Sequence, residues 1–199
     1  VGPTIFGDSP YQPSSGCAGN IYFIDLDKLV DEGLLEKEEI LGYNWGTDES
    51  EIDYAALHQN RCKILQKAFE RFDTNAQDFQ DFVKKQSEWL EQYALFMTLK
   101  TDNLYKNWSE WPSEYRNTQT VALEKYQKKN YNTITFWKFC QYKFFEQWED
   151  LKNYANSKGI YIIGDISFYV GYDSVDVWAE RQLFMMSAND TPEYVAAAG

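Results

Sequence analysis

Three aspartates near the end of the chain have the types and spacing from which acid–base chemistry is built. Asp165 stands in Ile162-Ile163-Gly164-Asp165-Ile166, and Asp173 and Asp176 stand in Gly171-Tyr172-Asp173-Ser174-Val175-Asp176. Cleaving a glycosidic bond usually takes two carboxyl groups, one as acid/base and one as nucleophile, about 5 Å apart in retaining enzymes. The two must reach the bond from opposite sides, and three residues gathered at one strand end are poorly placed to do so. A complete catalytic pair is therefore not the favoured reading. Asp165, two residues beyond an apolar run, is placed to accept hydrogen bonds from a polar substrate; capping of the next turn or pairing with an Arg is the alternative. Asp173 and Asp176 have N-cap-like spacing before Val177-Trp178, which favours helix capping for both.

Other chemistries find little support. His58 is the sole histidine, with no second His or Cys nearby for a metal and no Ser or Cys partner for a triad. Cys17, Cys62 and Cys140 are an odd, widely spaced set that suits neither a disulfide framework nor a C-x-x-C clip, so they read as buried apolar residues in a reducing compartment. Gly16 and Gly19 are not followed by the Lys-Ser/Thr of a phosphate loop or by a Rossmann unit. The chain is rich in aromatic residues, with seven Trp, 15 Tyr and 13 Phe. Most lie at core spacing on helices. Phe6, Tyr11 and Tyr172 fall in loops, where an aromatic plane is available to stack on the C–H face of a sugar.

Three textures succeed one another along the chain that holds these groups. Residues 1–20 are turn chemistry, with Pro3, Gly7, Pro10, Pro13, Gly16 and Gly19. Ile21-Tyr22-Phe23-Ile24 predicts a short strand, and Asp25 begins a helical turn with Leu26, Leu29 and Val30 on one face. From about Asp53 to Lys100 the apolar spacing predicts two long helices. Asn107 to Asn117 is a connection that Pro112 keeps from being one continuous helix. A last long helix runs from Thr133 or Thr135 to Ser157 and ends at Gly159 in the left-handed conformation. Ile160-Tyr161-Ile162-Ile163 then predicts a strand buried in a parallel sheet, which makes this stretch one α-to-β step of an α/β fold.

The 199 residues allow one domain or part of one, and fall short of the ~250 residues of a whole eight-stranded α/β barrel. Nineteen basic against 31 acidic residues give a net charge of −12, which rules against the positive field that nucleic acid requires. No stretch approaches the ~20 apolar residues that span a bilayer, and Val1-Gly2-Pro3-Thr4 does not begin a signal peptide. A soluble, unsecreted protein is expected. The absence of an initiator Met points to a trimmed chain or an internal piece of a longer one.

The order of several motifs adds a resemblance. Gly2-Pro3-Thr4, Gly7-Asp8-Ser9-Pro10-Tyr11-Gln12, Ala18-Gly19-Asn20 and Ile24-Asp25-Leu26 resemble the opening barrel loop of the 4-α-glucanotransferase (amylomaltase or disproportionating enzyme) family. The similarity continues through Ile52-Asp53-Tyr54, Ala68-Phe69-Glu70-Arg71-Phe72, Trp89-Leu90-Glu91 and Tyr93-Ala94-Leu95-Phe96-Met97. It closes with Phe144-Phe145-Glu146-Gln147-Trp148, Ile162-Ile163-Gly164-Asp165-Ile166, Asp173-Ser174 and Asp176-Val177-Trp178. Matches in one order from Gly2 to Phe184 cover nearly the whole chain.

The resemblance implies an α/β fold: part of a (β/α)8 TIM barrel of the α-amylase clan, carrying a large α-helical insertion. Residues 1–26 would be a barrel loop and strand with donor-sugar contacts, 27–130 the insertion, 131–170 a barrel helix and strand, and 171–199 the strand-end loop and the start of the next segment. It implies transfer of α-1,4-glucan segments by retaining double displacement, acting on maltooligosaccharides, amylose, starch or glycogen, with no metal or organic cofactor and no nucleic-acid or membrane partner. The nucleophile, the acid/base and the stabilising carboxylate are expected on strands beyond Gly199, so none of them is assigned to this chain. By resemblance Tyr11 stacks on the sugar before the scissile bond, Asp165 hydrogen-bonds that sugar, and Ser9 and Gln12 line the same cleft. Ser167 and Gly16-Cys17 depart from the usual Pro and Ala-Phe, and Phe6 and His58 stand where many members have tyrosines of a secondary glucan contact. A cytoplasmic location is expected, or a plastid in a plant or alga. The competing functions are a non-catalytic glucan-binding module and a helical interaction module.

Overall fold

The computed structural model describes residues 2–4, 9, 11–48, 50–164 and 170–195. In chain order its α-helices are α1 (Leu26–Asp31), α2 (Lys37–Leu41), α3 (Tyr54–Arg71), α4 (Gln77–Lys85), α5 (Ser87–Asp102), α6 (Ser113–Arg116), α7 (Thr120–Lys129), α8 (Tyr131–Ser157) and α9 (Val175–Ala179). Short 3-10 turns cover Ile21–Phe23, Trp108–Glu110 and Arg181–Leu183. Among the described residues no strand forms; there are only isolated antiparallel bridges, Thr4 with Pro13 and Met186 with Pro192. The chain divides into two compact units, one of residues 1–18, 86–138 and 164–199, the other of residues 19–85 and 139–163.

In the first unit the core is built on α5, whose residues from Tyr93 to Lys100 are all buried. Phe96, Trp111 and Trp178 form a triangle with ring centroids 5.3, 5.7 and 5.9 Å apart. Each such ring pair contributes roughly 0.5–1.5 kcal/mol beyond its area. The indole N–H groups still need acceptors, and they find carbonyls: Trp178 donates to Tyr115 O at 3.0 Å and Trp111 to Lys106 O at 3.1 Å. Lys100 is the exception in this apolar set, with a fully buried side chain. Its ammonium donates to the Asp173 carboxylate and, at 2.9 Å, to Lys106 O. Burial pushes the Lys100 pKa down, and Asp173 opposes that shift.

In the second unit α8 carries two glutamines six residues apart that each bond both backbone groups of one residue. Gln141 accepts from Gly19 N at 2.7 Å and donates to Gly19 O at 3.0 Å. Gln147 does the same for Asp25 at 2.7 and 3.1 Å. Residues 19–25 therefore run in step with one and two-thirds turns of helix, a rise of about 9 Å. An extended strand of that length would span about 20 Å, so the segment has to contract. This is why Ile21–Phe23 is a 3-10 turn and not the predicted strand. Asn20 helps by accepting Tyr22 N at 2.9 Å. Gly19 approaches α8 so closely that a Cβ there would lie 2.0 Å from the Phe144 ring.

Phe69, Phe72, Phe79, Phe139 and Tyr142 pack as one cluster, with Phe72 and Phe139 centroids 4.8 Å apart. Beside it, Lys143, 4% exposed, pairs with Glu32 at 2.5 Å and Glu146 at 2.8 Å. Glu39 takes both ends of the Arg71 guanidinium, at 2.6 and 3.0 Å, and also accepts Glu36 N. These bonds hold its carboxyl at about 2.

Several expectations need correction. The Asp53–Lys100 region holds three helices, because Phe72 leaves α3 in extended conformation and Asp73 turns the chain by accepting Asn75 N at 2.9 Å. The long C-terminal helix does end at Ser157 with Gly159 at φ +74°, as its spacing predicts, but it begins at Tyr131. Ile160–Ile163 is not a buried strand. All four residues are exposed, Ile163 by 94%, since a strand needs a ladder partner and none is present among the described residues. Of the cysteines only Cys140 is buried; Cys17 is exposed on a loop and Cys62 is half-buried.

Three measurements test these contacts. Lys100→Met leaves Asp173 without its cation and should cost roughly 3–5 kcal/mol in urea unfolding, with part recovered in the Lys100→Met/Asp173→Asn double variant. Gln141→Leu orphans both backbone groups of Gly19 at about 1–3 kcal/mol each, and should lower stability accordingly. Because the Glu39 carboxyl titrates lower when folded, its contribution is complete above the unfolded pKa near 4.5 and is lost as pH falls towards about 2. Glu39→Gln should therefore lower stability at neutral pH and flatten its decline across that acid range.

Candidate functional site

The site lies in the first unit and begins with a loop whose stem is tied by hydrogen bonds. Ser14 donates to Pro3 O from its amide at 2.9 Å and from its hydroxyl at 3.3 Å, and both Ser14 and Ser15 are buried. The Ser15 hydroxyl accepts Cys17 N and Ala18 N at 3.2 and 3.1 Å, an arrangement typical of a serine turn. At the tip, Ser9 accepts Tyr11 N on its hydroxyl and Gln12 N on its carbonyl, each at 3.3 Å. This turn lifts the Tyr11 ring into solvent, where it is 67% exposed.

Ser9, Tyr11 and Gln12 all line one cleft of about 1440 Å³. The front of α5 supplies Glu88, Trp89 and Gln92. The 171–176 segment supplies Gly171, Tyr172 and Asp176, and Met185, Met186 and Tyr194 add apolar surface. Tyr172 is held from three sides. Its carbonyl accepts the Trp108 indole at 2.7 Å, its ring lies 5.1 Å from Trp108, and its hydroxyl donates to Asp190 O at 2.6 Å. Arg181 stacks 4.6 Å from the Trp108 ring and pairs with Asp190 at 2.9 Å, which braces the same cluster.

The aspartates separate into different tasks. Asp173 faces inward and takes the Lys100 ammonium together with Trp108 N at 3.2 Å. Asp176 reaches the loop and accepts Gly16 N at 3.0 Å. Neither caps a helix. The cap of α9 is Ser174, whose hydroxyl accepts Val177 N at 3.3 Å. The capping expectation fails because the short serine reaches its own helix, while both carboxylates have partners elsewhere in the unit. Burial, and then the Asp176 charge, push the Cys17 thiol up, which suppresses its thiolate.

Of the residues predicted for binding, Ser9, Tyr11 and Gln12 therefore come together, while Asp165 and Phe6 lie outside the described residues. His58 is exposed on α3 in the other unit. Sequence reasoning missed Trp89, Gln92 and Cys17. Trp89 and Gln92 sit where the apolar stripe of α5 begins, and an exposed Gln three residues after a half-buried Trp is the signal of a helix end that faces a cleft. Among the described residues no group of His, Cys, Asp and Glu is arranged to hold a metal, and no helix is long and apolar enough to cross a membrane.

Comparison with known proteins agrees along the entire chain. Residues 1–199 match the family described as 4-alpha-glucanotransferase. A 4-alpha-glucanotransferase of Clostridium butyricum is 38% identical over 200 residues, which cover 100% of this chain and 41% of that protein. One of Streptococcus pneumoniae is 42% identical over 201 residues, covering 98% of this chain and 39% of the relative. Among solved structures, an amylomaltase from Streptococcus agalactiae in complex with acarbose superposes with a TM-score of 0.92 at 37% identity, over 98% of this chain and 40% of that one. The chain thus spans about two fifths of the length of the relatives it matches, and it belongs to the 4-alpha-glucanotransferase family.

Proposed function

We propose that this chain forms the donor-sugar side of a 4-α-glucanotransferase site, acting on α-1,4-glucans within a protein of the family's full length. The observation that carries this reading is the convergence of Ser9, Tyr11 and Gln12 on one cleft of about 1440 Å³. That volume exceeds the ~300–1,000 Å³ of typical small-molecule pockets and suits several linked sugar rings. An exposed tyrosine ring beside amide, hydroxyl and carboxylate groups matches what a glucan offers, C–H faces between hydroxyl edges. The acarbose bound by the S. agalactiae amylomaltase, an oligosaccharide-like ligand, supports the same substrate class.

In this reading Tyr11 stacks on the sugar at the donor side of the scissile bond, Asp165 hydrogen-bonds its hydroxyls, and Ser9 and Gln12 orient it. A carboxylate attacks the anomeric carbon while an acid protonates the departing O4, giving a covalent glycosyl-enzyme. The 4-hydroxyl of an acceptor glucan then displaces the enzyme carboxylate as the acid/base recovers its proton. We assign those catalytic groups to the part of the family length that this chain does not span. In the same reading, within a protein of full length, Ile160–Ile163 would join a barrel strand, residues 1–26, 131–170 and 171–199 would be barrel segments, and 27–130 the helical insertion. The reaction needs no metal or organic cofactor, and a cytoplasmic or plastid setting fits the substrate.

Calorimetric titration with acarbose and with maltoheptaose tests the reading, together with mass-spectrometric alkylation of Cys17, the exposed thiol that lines the cleft. Binding is expected to protect Cys17, and Tyr11→Ala should weaken binding at least about tenfold, or ~1.4 kcal/mol. No heat and no protection at saturating sugar would sink it. Robust conversion of maltotriose to glucose and longer maltodextrins by the 199 residues alone would instead overturn the assignment of the chemistry to other segments.

A further inference from the structure

Among the described residues the sugar-facing tip is held by its own turn, and a Cβ on Gly171 would stand 3.7 Å from Gln12 O, so its aim depends on the leg that comes after it. Among the described residues that leg meets the 171–176 segment at three places. Val175 N donates to Ser14 O at 2.9 Å, Gly171 lies close enough that a Cβ there would stand 3.4 Å from Pro13 O, and Gly16 N donates to Asp176 Oδ2 at 3.0 Å. The first two are backbone contacts. Only the third is made by a side chain, and it joins residues 160 apart in sequence. It is also the last tie before Cys17, where the loop lies exposed at the cleft.

Asp176 stands on a well-packed base. It lies in the first turn of α9, between Val175 and Val177, which are 5% and 3% exposed, and α9 is pinned by Trp178 in the aromatic triangle with Phe96 and Trp111. A carboxylate on so fixed a base is a rigid acceptor, and a charge-assisted bond to a backbone amide is roughly twice as strong as a neutral one. We propose that Asp176 is a positioning residue that latches the loop carrying Ser9, Tyr11 and Gln12 in its glucan-binding arrangement. The inference rests on the glucan reading of the cleft, and it assigns Asp176 no contact with the reacting atoms.

The experiment combines amide hydrogen exchange at Gly16–Ala18 with acarbose titration, for the wild-type chain and for Asp176→Ala, Asp176→Ser and Asp176→Asn. Alanine and serine cannot reach Gly16, and two are used so that the measurement survives if one fails to fold; an unchanged near-ultraviolet aromatic spectrum identifies the folded variant. Expected are at least a tenfold rise in Gly16 exchange and at least a fivefold loss of acarbose affinity in that variant, with most of both restored in Asp176→Asn, whose amide oxygen can still accept. General loosening of the fold predicts no such rescue, and a spread of faster exchange over α9 and α5 would count against the latch. If wild type binds acarbose and the folded variant binds it equally well, or its Gly16 exchange is unchanged, the inference is overturned while the glucan reading stands. If wild type fails to bind acarbose, the glucan reading falls and takes the inference with it.

Discussion

The Lys100 ammonium has no contact with water, and a buried cation is tolerated only when its hydrogens are met. Here Asp173 and the Lys106 carbonyl accept two of the three, and that requirement arranges much of the first unit. Asp173 must point inward, so Tyr172 and Gly171 immediately before it are brought to the cleft wall, and Ser174 after it is free to cap α9. The Lys106 carbonyl must turn back towards α5, which fixes the connection whose Trp108 amide also reaches Asp173. An apolar residue at position 100 would pack in the same helix face, yet it would remove the ion pair that draws Asp173 inward.

Specificity of path, more than net energy, is what such a pair supplies. Desolvating two ions offsets much of their attraction, whereas removing one partner strands the other. The glutamines of α8 act in the same manner in the second unit. Gln141 and Gln147 each satisfy an amide and a carbonyl that no sheet or helix would satisfy, and their six-residue separation dictates how far residues 19–25 advance. In both units, polar side chains on a long helix direct an irregular segment that its own propensities leave undetermined.

This division explains what was legible in the sequence. Helices with a strong stripe and local punctuation were readable: Asp25 caps α1 by accepting Asp27 N, and Gly159 ends α8 in the left-handed conformation, as their sequences predict. The loop aromatic Tyr11 was readable because proline and glycine on either side deny it a core position. The misread segment Ile21–Ile24 and the misread Asp173 and Asp176 share one cause, a partner distant in sequence. Ile21–Ile24 has strand propensity, but Gln141 and Gln147 impose a shorter rise. Asp173 and Asp176 have cap spacing, but Lys100 lies 73 residues away from the first and Gly16 lies 160 from the second. No local pattern encodes those contacts.

The exposed run Ile160–Ile163 stands apart from the interior of the second unit. The unit's interior, with Leu29, Ile64, Leu65, Ala68 and Phe139 fully buried, closes without any contribution from these four residues. Gly159 ends the helix just before them, and Ile160 N takes the Ala155 carbonyl at 3.0 Å, so the chain leaves the helix along a defined direction. Burial of the helical interior therefore does not depend on what these four residues pack against.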